Sequence, residues 1–219
     1  MRVLPFLSAA LVLAGCGNDG PLGLEAGCQP LLGGKHCLLP YPSDFFRTPA
    51  GRIEVPPAAQ LKTGRGAVAD VHQDRARLFD GFSRLSTAVA VMPTQVAWTG
   101  LTRLADAPGD TLSPKTARTV WLDAESLEPV PHFVDLDPRA TDLSRQAIVL
   151  HALVPLLPSH RYVLAFQKLE DPAGAPVPAP KGFSRLRDGR AAGDPQLEAL
   201  KDRFESGVFG PLVKAGLER

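Results

Sequence analysis

The chain has 219 residues, 44% of them hydrophobic, and carries 24 basic against 23 acidic side chains. This is ordinary globular composition for one or two domains, and so even a charge balance gives no long-range field for nucleic acid. Together 20 Gly and 22 Pro favour turns and extended segments over long helices.

The amino terminus reads as a processing signal. Arg2 precedes an apolar run, Val3 to Ala14, of twelve residues, far short of the roughly 20 that a membrane-spanning helix needs. Leu13-Ala14-Gly15-Cys16 follows and resembles the bacterial lipoprotein box. The resemblance implies that Cys16 is lipidated on sulfur and becomes the new amino terminus. Residues 1–15 are then a signal peptide, outside any fold argument. Acyl chains on Cys16 make a stable anchor, and Gly17 gives no inner-membrane retention signal. The expected location is therefore exported, at the outer membrane of a two-membrane envelope, with the membrane itself as a partner.

With Cys16 assigned to lipid, Cys28 and Cys37 remain, a pair that in an exported chain suggests a disulfide. A metal site using the adjacent His36 lacks the ligands it would need, and no cofactor is expected. Residues 16–36 read as a Gly-rich tether and the start of the disulfide loop. The following Cys37-Leu-Leu-Pro-Tyr-Pro-Ser-Asp-Phe-Phe-Arg47 is dense in rings. Ser43 or Asp44 can cap a short turn there, with Phe45 and Phe46 tucked into the body. The alternative is a binding patch at Tyr41, Phe45 and Phe46.

Residues 48–77 read as a long irregular segment. Gly64-Arg-Gly66 lacks the third glycine and preceding strand of a nucleotide loop, and no nucleophile motif accompanies His72 and Asp74. A turn at Asp80-Gly-Phe-Ser83 leads to a strand at Thr87–Met92, then a further strand with Trp98 within Val96–Leu104. Thr119–Leu122 alternates, as do Val130, His132, Val134 and Leu136. Residues 147–154 are apolar on both faces, as in a strand covered on each side or inside a sandwich, and Arg161–Leu169 alternates again. The period of two with proline-marked connections predicts a mainly β fold, an Ig-like β-sandwich of about seven strands over residues 37–189. The module carries the long irregular segment in its N-terminal part, and one or two short helices follow.

After a linker at Ala175–Lys181, Leu197, Leu200 and Phe204 mark an amphipathic helix over Pro195–Ser206, with Gly207 as its stop. Pro211 starts a second helix running to about Gly216. Residues 190–219 are thus a helical connector. The pentapeptide Gly-Phe-Ser-Arg-Leu occurs at Gly81–Leu85 and again at Gly182–Leu186 with unmatched flanks, which implies coincidence or two similar turns into the core.

Together Cys37–Arg47, Asp80-Gly-Phe-Ser83, Val120-Trp-Leu-Asp-Ala124, His160-Arg-Tyr-Val163 and Phe183–Gly189 resemble the amino-terminal region of large bacterial exported lipoproteins. Many of these have a lipase- or esterase-like α/β-hydrolase domain downstream. The resemblance implies a non-catalytic Ig-like module, and the expected role is to hold or orient a hydrolase domain or an envelope protein, or to help bind an apolar or polymeric substrate. No Gly-x-Ser-x-Gly elbow is present, so no catalytic residue is assigned, and His132 and His151 read as structural. Two alternatives stay open: an acyl-ester hydrolase whose catalytic domain lies beyond residue 219, and a stand-alone binding or structural lipoprotein.

Overall fold

The computed structural model describes residues 19–34, 36–60 and 79–219. Cys16, His72 and Asp74 lie outside the described residues. Five strands form: β1 (Ala88–Val91), β2 (Thr119–Asp123), β3 (His132–Leu136), β4 (Ala147–Ala152) and β5 (Tyr162–Phe166). All pairings are antiparallel, in a three-stranded sheet ordered β1-β4-β3 and a two-stranded sheet of β2 and β5.

Side-chain alternation decides which faces are enclosed. Ala88, Ala90, Val134, Leu136, Ile148 and Leu150 of the first sheet share one core with Trp121, Tyr162, Leu164 and Phe166 of the second. The opposite face of the second sheet, Val120, Leu122 and Val163, packs on Leu212. The small sheet is therefore a middle layer, and all five β2 residues are buried. Each fully enclosed Leu or Ile contributes about 1.5–3 kcal/mol. The chain crosses between sheets on one side. Val130 N–H donates to Trp121 O at 2.8 Å, and after Pro131 the same run joins the other sheet as β3.

The observed architecture is a mixed α/β domain with two small antiparallel sheets and C-terminal helices. It departs from the sequence reading in several places. Five strands are present among the described residues, not seven. No strand forms within Val96–Leu104. Leu101 N–H bonds Trp98 O and Gly100 takes a φ of 70°, so this segment turns while burying Val96 and Leu101. β4 is enclosed on one face only, since Ile148 and Leu150 are buried but Val149 and His151 are half-exposed.

Helices occupy the carboxyl end: α1 (Lys181–Arg187), α2 (Pro195–Phe204), a π-helical turn (Glu205–Phe209) and α3 (Gly210–Lys214). Asp194 caps α2 by accepting from the Gln196 and Leu197 N–H groups, each at 3.0 Å. α1 lies inside the stretch assigned to linker and sandwich. The supposed stop at Gly207 is no stop: the helix widens by one π turn and continues. Gly207 faces the tip of the Arg161 side chain, whose Cζ would lie 2.6 Å from a Cβ there.

Of the stretch read as a tether, the described residues from 19 on are docked as a strap along the helices. Arg185 Nη1 donates to Gly20 O at 2.8 Å, and Leu22 N–H donates to Asp194 Oδ2 at 2.7 Å. Leu22 and Leu31 pack on Leu186, Leu197 and Leu200. The strap ends in a disulfide between Cys28 and Cys37, nine residues apart. Next to it, buried Gln29 donates through Nε2 to Pro40 O at 2.9 Å and accepts from Ser43 Oγ at 3.1 Å. Replacing both cysteines with serine is expected to lower the unfolding free energy by about 2–3 kcal/mol on the loop-closure estimate. Urea denaturation of the two forms measures this, and unchanged midpoints would show that packing alone restrains the loop.

Candidate functional site

The three rings proposed as a binding patch are drawn into packing. Phe46 is 3% exposed and contacts Ile53 and Ala59, and Phe45 joins both that cluster and the α1–α2 core. Ser43 Oγ caps the short turn Asp44–Phe46 by accepting from Phe45 N–H. Tyr41 adds one rung to the first sheet, exchanging hydrogen bonds with Val89 at 3.0 and 2.7 Å, and meets Phe82 edge-on at 5.5 Å. Phe46 is thus buried, while Tyr41 and Phe45 are packed and half-buried. His36 lies beside the turn before β4, with Arg145 Nη2 at 3.3 Å from its Nε2.

A carboxylate–imidazole pair stands at the opposite end of β2. Asp123, 3% exposed, is the last residue of that strand, and His160 lies two residues before β5. His160 Nδ1 is 2.6 Å from Asp123 Oδ2. Asp123 Oδ1 accepts from the N–H groups of Glu125 at 2.8 Å and Ser126 at 3.1 Å. Burial pushes the Asp123 carboxyl up, but the Glu125 N–H, the His160 imidazole and the Ser126 N–H outweigh it and hold the group below its usual value. An oriented imidazole is two parts of a hydrolytic triad. Through these bonds the pair clamps the 123–128 turn to β5. Nothing local in the sequence links His160 to Asp123, and the register Asp123↔Tyr162 brings the two together.

His132 is wholly structural in its contacts. Its Nδ1 donates to Val130 O at 2.7 Å, Nε2 pairs with Thr119 Oγ1 at 2.9 Å, and its N–H donates to Thr111 Oγ1 at 3.2 Å. His151 stacks on Phe133 at 4.5 Å beside Asp135. Burial lowers the His132 pKa below its ordinary 6.5, against the raising effect of those hydrogen bonds. The unfolded chain therefore binds the proton more readily than the fold. Stability from this group is complete above about pH 6.5 and is lost as pH falls from there towards the depressed folded value. Urea midpoints measured between about pH 7.5 and 5 are expected to fall in the wild type and to flatten in His132→Gln. An equal slope in both would assign the acid loss to other groups.

Two further features lie at the surface. Leu153, Val154 and Leu157 are exposed in the loop after β4, and Leu85, 76% exposed, stands beside them, where Leu156 N–H bonds Arg84 O at 3.0 Å. A hollow of about 480 Å³ lies between the disulfide loop, the end of β1 and the start of α1, lined by Leu32, Gly34, Met92, Pro93, Pro180 and Lys181 among others. Among the described residues no group of three or more His, Cys, Asp or Glu could hold a metal, and no helix is long and apolar enough to cross a membrane. Compared with protein-family models, curated proteins and solved structures, the chain matches none.

Proposed function

We propose that this chain is a lipid-anchored module of the cell envelope, non-catalytic in itself, that orients a partner domain or envelope protein. The observation that carries the reading is the strap locked by Cys28–Cys37. A disulfide persists in an oxidising compartment, and here it closes the segment that directly follows the lipoprotein-like Leu13-Ala14-Gly15-Cys16. The two facing sheets are read as an Ig-like sandwich core with helices added on one side, in keeping with the resemblance to the front region of exported hydrolases. Exposed Leu85, Leu153, Val154 and Leu157 suit a protein contact. The location that follows is the outer membrane of a Gram-negative envelope.

Expression of the full chain with its own leader in a Gram-negative host tests this. The wild type is expected in the membrane fraction, with mass spectrometry finding a diacylglyceryl thioether and an acylated amino group on Cys16. Cys16→Ala is expected to leave that fraction. A Cys16 recovered as a free thiol would refute the reading.

A further inference from the structure

We propose that the end of the helical layer carrying the strap lies directly against the bilayer, so that the anchor fixes the orientation of the body as well as its address. The inference rests on lipidation of Cys16. Asp19 is already docked: its carboxylate pairs with Arg190 and lies 4.0 Å from Arg185 Nε. Three peptide steps separate Cys16 from Asp19, a reach of about 10 Å at full extension. The headgroup layer of one leaflet is itself about 5–8 Å thick. A free coil from Cys16 to Pro30 would instead have a dimension of roughly 20 Å and would let the body tumble.

The strap resists peeling. Arg185 is 1% exposed, and its guanidinium donates to Gly20 O, Arg190 O and Ala192 O at 2.8, 3.0 and 3.1 Å. Lifting Gly20 would leave a buried guanidinium short of an acceptor. The charges around Asp19 are balanced by pairing, since Arg190 bridges Asp19 and Asp188 while Arg187 also pairs with Asp188, and Glu198 adds one carboxylate beside Gly193. Such a face accepts a zwitterionic bilayer without selecting an anionic one. The partner surface is therefore the leaflet that holds the anchor.

The test uses full-length protein purified from membranes and reconstituted in phosphatidylcholine vesicles carrying a headgroup spin label. Cys28 and Cys37 are paired and Cys16 is acylated, so a fluorophore can be placed on one introduced thiol. Ala192→Cys reports on the exposed turn between α1 and α2. Ala105→Cys reports on a turn that, among the described residues, shares no hydrogen bond or core cluster with the strap. The label at 192 is expected to lose most of its fluorescence while that at 105 keeps most of its own. Inserting about ten Gly-Ser residues after Gly17, a coil of roughly 18 Å, is expected to abolish the difference. Equal quenching at both positions with the Cys16 lipid verified by mass would overturn the orientation and leave the anchor standing. An unlipidated Cys16 would overturn both.

Discussion

Gly182→Ala is expected to lower the unfolding free energy by about 2–3 kcal/mol, whereas Gly81→Ala in the twin pentapeptide changes it by less than about 0.5 kcal/mol. Local propensity argues the other way, since alanine inside a helix is worth about 1 kcal/mol over glycine. The strap reverses the sign. A Cβ at Gly182 would overlap the Pro30 carbonyl oxygen and lie 2.7 Å from its carbon, and the obstacle is backbone, not a side chain that can swing away. α1 and the strap also share a hydrogen bond there, from Phe183 N–H to Leu31 O at 3.0 Å. Moving the strap outward would break that bond and strain the nearby disulfide loop. Around Gly81 nothing lies within 4 Å. Urea denaturation of both variants measures the contrast. A Gly182→Ala protein as stable as the wild type would show that the strap can shift without cost.

The same pair of pentapeptides shows what the sequence can and cannot reveal. Identical residues form an open turn at 81–85, with Leu85 exposed, and a buried helix at 182–186, with Leu186 in a core. The difference comes from partners distant in the chain. α1 is short and has no side-chain cap at its start, so neither propensity nor capping signals mark it. It exists because the strap supplies an acceptor and Leu197 and Leu200 supply a wall. The strands were legible for the opposite reason. Their alternation is a local property, and β1, β2, β3 and β5 lie within the stretches where Val, Ile, Phe and Trp alternate. Helix α2 was legible from Leu197 and Leu200 at helical spacing, and the π turn was not, because Gly207 looks like a terminator until Arg161 is seen against it. In the candidate site, neither Asp123–His160 nor Arg185–Gly20 leaves a local trace. Their partners are 37 and 165 residues apart.

Arg185→Met is expected to lower the unfolding free energy by about 3 kcal/mol, several times the effect of Arg84→Met at the matching position of the other pentapeptide. Two terms oppose each other at Arg185. Burying a guanidinium carries a desolvation cost of several kcal/mol, which methionine, similar in length and helix propensity, would remove. Against that, Gly20 O, Arg190 O and Ala192 O would each lose the charged donor that Arg185 supplies. A hydrogen bond to a charged group is worth about 1.5–3 kcal/mol, so the loss of three of them outweighs the relief. Were the carbonyls replaced as well, the balance could tip the other way, as it does when whole buried ion pairs give way to apolar groups. Arg84 bonds a single carbonyl, that of Leu156, at an exposed site, and its loss should cost less than about 1 kcal/mol. Arg185→Lys should fall between, because an ammonium cannot span three carbonyls as a planar fork does. The mechanism has a local signature beyond stability. Hydrogen exchange at the Leu22 amide, held by Asp194 Oδ2 at 2.7 Å, should accelerate in Arg185→Met far more than exchange at the β3–β4 amides. Uniform acceleration would mean global destabilisation without release of the strap. An Arg185→Met protein as stable as the wild type would show that desolvation dominates, and that the packing of Leu22 and the disulfide are enough to hold the strap on α1 and α2.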